Sequence, residues 1–338
     1  MEKISVIVPV FNAQRTLRRC LERLSTLDDP NHEILLVDDA STDGSAELGA
    51  AYGAKVVRLP ERRGPAVARN IGAEEASGEI LAFTDSDCLV ESDWLTHIRR
   101  HLTVEKNDIV TGGYKALPWQ NVIGRLNSYN HDNESFNRFP SVTDTLTGGN
   151  FALRKGIHDE NPRLEEGVFG RFASAEDTVL GLVLSKKYRI HYFTDMAVGH
   201  IGPESLPRFF REFFIRGFSR TVISILFRDR ITNSRNISYR YVVGHMAAGL
   251  AVTLGPFTVP HGGALALAPL LLLYALFLAH NDLAYVYRRE KKIGPPLLAA
   301  LLLYLRNFFW LAGSSAGLIH YLKSWGTLRQ KRAAYLRW

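Results

Sequence analysis

Four short apolar runs, the first three each followed by a helical pattern, constrain this chain of 338 residues more than any other feature. Residues 3–10, Lys-Ile-Ser-Val-Ile-Val-Pro-Val, read as a buried strand. Pro9 removes a backbone donor near its end, which implies a strand edge or a bend there. A helical pattern follows through Leu17, Cys20, Leu21 and Leu24. The second run, residues 33–39, ends in Asp38-Asp39 and passes into Ala-Ser-Thr-Asp-Gly-Ser45, which is turn and helix-start chemistry. Residues 55–59 make a third strand, 64–76 a helix rich in small residues, and 79–84 a fourth strand. Strand and helix alternating at this spacing dictate an α/β domain with a parallel sheet. No Gly-x-Gly-x-x-Gly follows the first strand and no Walker lysine motif occurs, so the usual dinucleotide and P-loop solutions are excluded.

Acids stand at the ends of two strands instead. Asp85-Ser86-Asp87 closes the fourth run and presents two carboxylates at the edge where open α/β sheets place ligands. Carboxylate oxygens suit a hard divalent ion, which commonly holds phosphates through only one or two protein carboxylates. A solvated turn after a strand would look the same. Asp38 and Asp39 suit hydrogen bonds from base or ribose donors; alternatively one of them caps the helix after Ser45.

With these pieces in place the chain resembles a family 2 glycosyltransferase of GT-A fold. The matching segments are Ser5-Val-Ile-Val-Pro-Val-Phe-Asn12, Leu36-Val-Asp-Asp-Ala-Ser-Thr-Asp-Gly-Ser45, Gly64-Pro-Ala-Val-Ala-Arg-Asn-Ile-Gly72 and Phe83-Thr-Asp-Ser-Asp87. Gly148-Gly-Asn-Phe-Ala-Leu-Arg154 and Ala175-Glu-Asp-Thr178 complete an ordered set over roughly residues 3–205. The resemblance implies that Pro9, Phe11 and Asn12, in the first strand and its loop, hold the nucleotide. It implies that Asp39 contacts the base with Asp38 beside it, and that Arg69 lies near the nucleotide. Asp85, Ser86 and Asp87 would bind ribose and a diphosphate-bound Mn²⁺ or Mg²⁺. Asp177 would be the catalytic base, Glu176 the less favoured candidate, and inversion at the anomeric carbon would follow.

The same residues carry readings of their own. Asp177 opens a helical pattern, where a first-turn acid is also favoured by the helix dipole. An acceptor hydroxyl needs a base within roughly 2.6–3.2 Å of its proton. Gly148-Gly149-Asn150 is either a floor beneath donor and acceptor or a hairpin turn. His200 either completes the metal site or touches the diphosphate, or is simply a packed or surface histidine, and Trp94 is most simply a packing residue.

Beyond residue 205 the composition changes. Residues 206–220 mix aromatics with arginines, which suits a membrane headgroup zone or a helix packed on the catalytic domain. Apolar runs at 241–259 and 264–280 read as a tight transmembrane hairpin, followed by basic residues 288–292. A third run, 295–322, is interrupted by Arg306 and Asn307, and the basic tail 323–338 asks for a non-spanning or broken element there. The expected organisation is a GT-A domain at 1–205, juxtamembrane helices at 206–240, membrane-embedded helices at 241–322 and a basic cytoplasmic tail at 323–338. The expected fold class is therefore α/β, a GT-A Rossmann-like domain followed by a helical membrane-associated C-terminal region. The net charge of +7 is read as arginines beside a phospholipid membrane and not as a nucleic-acid surface. No leader precedes the first strand, so the catalytic domain is expected in the cytoplasm, at the inner (plasma) membrane. The Gln-x-x-Arg-Trp motif of processive relatives is absent, which implies one sugar per encounter. The partners expected are a nucleotide sugar, UDP-sugars favoured, and a membrane lipid or lipid-linked saccharide acceptor; self-association stays open. Competing readings are transfer to a soluble or protein acceptor, a metal-dependent nucleotidyltransferase, and an inactive nucleotide-sugar-binding scaffold.

Overall fold

The computed structural model describes residues 1–128, 142–161, 175–227 and 294–336. Its centre is an eight-stranded sheet in the order β3-β2-β1-β4-β9-β6-β10-β8. The strands are β1 Ile4–Val10, β2 His32–Asp38, β3 Lys55–Arg58, β4 Ile80–Thr84, β6 Ile109–Thr111, β8 Val142–Thr143, β9 Asn150–Arg154 and β10 Ile190–Tyr192. A second sheet orders β5 Cys88–Leu89, β11 Val198–His200 and β7 Tyr114–Lys115 as β5-β11-β7.

Alternation across β1 builds two cores, because successive side chains leave a strand on opposite faces. Ile4, Val6, Val8 and Val10 pack with Leu17, Leu21 and Leu24 of the helix Gln14–Leu24. Ile7 packs on the other face with Phe83, Phe151 and Leu184. All seven residues of β1 are buried, and each large aliphatic among them contributes about 1.5–3 kcal/mol by leaving water. The helix Pro65–Glu75 buries small residues on more than one side, Ala66, Ala68, Gly72 and Ala73, so it packs close to the sheet and to its neighbours.

Strands β3, β2, β1 and β4 are parallel, as the spacing requires. The sheet does not continue that way. β9 enters antiparallel between β4 and β6, with Phe83 opposite Phe151 and Val110 opposite Ala152. Pro9 lies in a central strand and not at an edge. Its pairing with β2 runs on to Val10 opposite Asp38, whereas pairing with β4 stops at Ile7 opposite Phe83. β1 and β4 therefore part at their carboxyl ends, and Pro9 sits where the ladder toward β4 has ended.

The carboxyl-terminal expectation needs correction. Among the described residues no helix is long and apolar enough to cross a membrane, so no membrane-spanning helical region follows the α/β domain there. The third apolar run is one continuous helix, Gly294–Lys323, and is not broken. Its Arg306 is buried with the guanidinium over the Phe213 ring, so the charge is housed by protein. The aromatic-arginine stretch forms the helix Leu206–Leu226, which buries Phe209, Phe213, Phe218, Val222 and Ile223. Phe209, Phe213, Leu126 and Leu302 form one cluster. Val222, Ile223, Val179 and Leu182 belong to another, so this helix also covers the back of the helix Glu176–Leu184. The basic tail makes a separate helix, Trp325–Leu336. The hairpin expected at 241–280 lies outside the described residues.

Candidate functional site

Asp85 follows β4 directly, and a tight turn brings the chain back, with Cys88 N donating to Asp85 O at 2.9 Å. β5 then pairs antiparallel with β11, His200 opposite Cys88. Ile201 N donates to Asp87 O at 2.8 Å. This pairing is what carries His200 Nε2 to 3.7 Å from Asp87 Oδ2 across more than a hundred residues of sequence. The Tyr114 ring packs 4.7 Å from the His200 ring. Confinement in the cleft raises the Asp87 carboxyl above the usual range; His200 works against that rise and Asp85 adds to it.

Arg69, on the helix Pro65–Glu75, ties two parts of the cleft together. It donates from Nη2 to Asp85 Oδ1 at 2.6 Å and from Nη1 to Glu176 Oε1 at 3.1 Å. Its position beside the acids makes it a clamp on the Asp85 carboxylate. Asp177 Oδ2 accepts from Gly148 N at 2.9 Å and Oδ1 from Thr178 N at 2.7 Å. Burial, with Glu176 beside it, pushes the Asp177 carboxyl up to about 6, against the pull of Arg69 and the two amides. A carboxyl at that value accepts a proton near neutral pH far better than an ordinary aspartate.

Gly148 and Gly149 are a close approach, not a left-handed turn. A methyl built on Gly149 would lie 2.7 Å from Asp85 Oδ2 and 2.8 Å from the Tyr114 hydroxyl. Gly149 N donates to that hydroxyl at 3.0 Å. The segment thus lies against both Asp85 and Asp177, as a floor would.

The residues expected at the nucleotide gather at the carboxyl ends of β1 and β2. Phe11 is partly exposed, and the Arg62 guanidinium lies 4.1 Å over its ring. Asn12 adopts φ 47° and accepts from Thr42 N at 2.8 Å, so it shapes the loop. Asp38 Oδ1 accepts from Ser41 N at 3.0 Å. Asp39 spends both oxygens on loop amides, Arg63 N at 2.6 Å and Gly64 N at 2.8 Å. Neither caps the helix at Ser45. The N-cap is Gly44, and Asp43 before it accepts from Ser45 N at 3.1 Å in an Asx-type turn.

Asn150, expected at the ligand, points elsewhere. It is fully buried and donates to Gly113 O at 3.0 Å and Met196 O at 2.7 Å, while accepting from Trp94 Nε1 at 3.0 Å. Its side chain is consumed by these bonds, and its effect on the cleft passes through the adjacent Gly149. Trp94 therefore packs, as expected, but also donates to Asn150. Tyr114 and Arg62 were not foreseen; nothing local in the sequence marks either.

Among the described residues two groups could hold a metal ion, Asp85-Asp87-Cys88 and His97-His101-Asp195. In the first, burial and the two acids hold the Cys88 thiol well above its ordinary value, and its sulfur is a soft donor, so the hard donors are the two carboxylates. What remains is two carboxylates with His200 alongside. Arg69 counters Asp85 through Oδ1, and the carboxylate oxygens that the pair still offers are donors that fit Mn²⁺ or Mg²⁺.

Residues 5–161 match the family model "Glycosyl transferase family 2". Glycosyltransferase GlyA of Streptococcus pneumoniae is 36% identical over 120 residues, 34% of this chain and 17% of that protein. Glycosyltransferase GlyG of the same organism is 34% identical over 118 residues, 33% of this chain and 39% of that protein. The matched part thus spans well under half of these relatives. A mannosyltransferase of Pyrobaculum calidifontis, solved with GDP-Man and Mn²⁺, shares the fold with a TM-score of 0.56 at 19% identity. That likeness covers 94% of this chain and 87% of the other.

Proposed function

We propose, on the premise that residues 5–161 are a family 2 glycosyltransferase domain of GT-A fold, that this chain moves one sugar from a nucleotide sugar to an acceptor hydroxyl with inversion. The observation that carries this reading is convergence. Asp85 and Asp87 from the end of β4 and Asp177 from a helix start meet one cleft, joined by Arg69 and the Gly148–Gly149 backbone.

The nucleotide lies along the ends of β1 and β2, at the crevice beyond the strands' carboxyl termini, beside Phe11, Asn12, Asp38 and Asp39. Its diphosphate ends at Asp85 and Asp87, with His200 as a third donor. These residues would hold Mn²⁺ or Mg²⁺, which would supply Lewis-acid stabilisation of the leaving diphosphate. Asp177 accepts the proton of the acceptor hydroxyl, and its bond to Gly148 N fixes the direction of its carboxylate. Glu176 is engaged with Arg69, which leaves Asp177 as the base. A single displacement inverts the anomeric carbon.

A UDP-sugar is the proposed donor. The proposed acceptor is a lipid-linked saccharide or membrane glycolipid, a reading supported only by the apolar run 241–280 and the basic residues around it in the sequence. Titration of the full chain with UDP, and in parallel GDP, with and without Mn²⁺ tests the donor side. Mn²⁺ should tighten UDP binding, and Asp87→Ala should remove that gain. Absence of metal-enhanced binding of either nucleotide overturns the reading.

A further inference from the structure

We propose that His97, His101 and Asp195 form a second divalent-cation site, of the zinc class, separate from the carboxylates of the sugar-transfer cleft. His97 and His101 stand one turn apart at the i, i+4 spacing that places two imidazoles on one helix face. They lie on the helix Trp94–Arg99 and the π-helical turn Arg100–Val104 that continues it. Asp195 comes from the short 3₁₀ turn Thr194–Met196 between β10 and β11.

Each imidazole has one nitrogen on a carboxylate of its own helix and turns the other toward Asp195. His97 Nε2 lies 3.2 Å from Asp93 Oδ2, and His97 Nδ1 3.4 Å from Asp195 Oδ2. His101 Nδ1 lies 2.9 Å from Glu105 Oε2, and Nε2 3.1 Å from Asp195 Oδ1. A carboxylate behind each ligating histidine is the usual outer shell of a zinc site, where it fixes ring and tautomer. Phe193 stacks on His101, ring centroids 3.5 Å apart, and holds that ring further.

Proton counting points the same way. A neutral imidazole has one N–H and donates to one acceptor only. At His101 an N–H on Glu105 leaves the Nε2 lone pair facing Asp195 Oδ1, with Arg100 Nη2 3.2 Å away, so Nε2 is the atom a metal would take. His97 Nδ1 is buried and makes no hydrogen bond. The three ligand atoms lie within 4.8 Å of one another. Bonds of about 2.0–2.2 Å at tetrahedral angles separate ligand atoms by about 3.3–3.5 Å, close to the distances to Asp195. Nitrogen donors with one carboxylate favour zinc over magnesium or calcium. The Arg100 guanidinium reaches Asp195 and lies 3.2 Å from His101 Nε2, so a cation already leans on these ligands. Its side chain is 47% exposed and can swing into solvent. A metal here would clamp the helix bearing Trp94 to the turn bearing Met196, two of the elements that hold the Asn150 side chain.

The test is calorimetric titration of the EDTA-treated full chain with Zn²⁺ alone, without nucleotide, in wild type and in the double variant Asp85→Asn/Asp87→Asn. The double variant should still bind one Zn²⁺ and melt at a higher temperature with it. His97→Gln and Glu105→Gln should each weaken that binding tenfold or more. Glu105 is on the exposed rim and is no ligand, so its substitution keeps the test decisive if His97→Gln folds poorly. Failure of the double variant to bind Zn²⁺, or unchanged affinity in Glu105→Gln, overturns the proposal.

Discussion

Asp177 keeps its proton to higher pH than an ordinary aspartate because burial and the neighbouring Glu176 both oppose its charge. A base acts only when deprotonated, so the sign of the pH effect follows. Activity measured as kcat/KM should fall as pH drops through about 6 and level off above it. Asp177→Asn should flatten that limb and lower kcat by about 10²–10⁴-fold. Nucleotide affinity should stay close to wild type, since the base acts in the transition state. Steady-state kinetics over pH with a parallel nucleotide titration check both. Near-wild-type kcat in Asp177→Asn would move the role to Glu176 or another group.

At the scale of elements, the helices Leu206–Leu226 and Gly294–Lys323 meet backbone to backbone. A methyl on Gly313 would collide with the Phe214 carbonyl, one on Gly217 with the Trp310 carbonyl, and one on Gly317 would stand 2.6 Å from the Phe218 carbonyl. Gly313→Leu should therefore cost about 1–3 kcal/mol or more by overpacking. Gly326→Ala, which meets open space, should hold or raise the melting temperature. Thermal melting of both variants checks the crossing; equal behaviour would contradict it. The sequence made the parallel half legible because β1 to β4 and their helices are local patterns with the right periods. It left β9 illegible as an antiparallel insertion, since its partners Phe83 and Val110 are distant in sequence. The site divides the same way. Asp85, Asp87 and Asp177 stand where local motifs put them. The turning of Asn150 toward Trp94 and Met196, and the binding of Asp39 to Arg63 and Gly64, depend on contacts that no local pattern encodes.

The whole molecule brings three sources to one crevice. The parallel strands supply the edge that bears Asp38, Asp39 and Asp85, the turn before β9 supplies Gly148–Gly149, and the small sheet supplies His200 and Tyr114. The measurement that bears most directly on sugar transfer is identification of what leaves the donor. Full-length protein is incubated with a panel of nucleotide sugars, Mn²⁺, and either a membrane lipid extract or soluble saccharides. Small products are then separated and the glycosylated product is identified by mass. One nucleoside diphosphate per sugar transferred is expected, abolished with metal removal and nearly so in Asp177→Asn. Release of pyrophosphate, or donor bound with metal yet left intact whatever the acceptor, would contradict glycosyl transfer by this cleft.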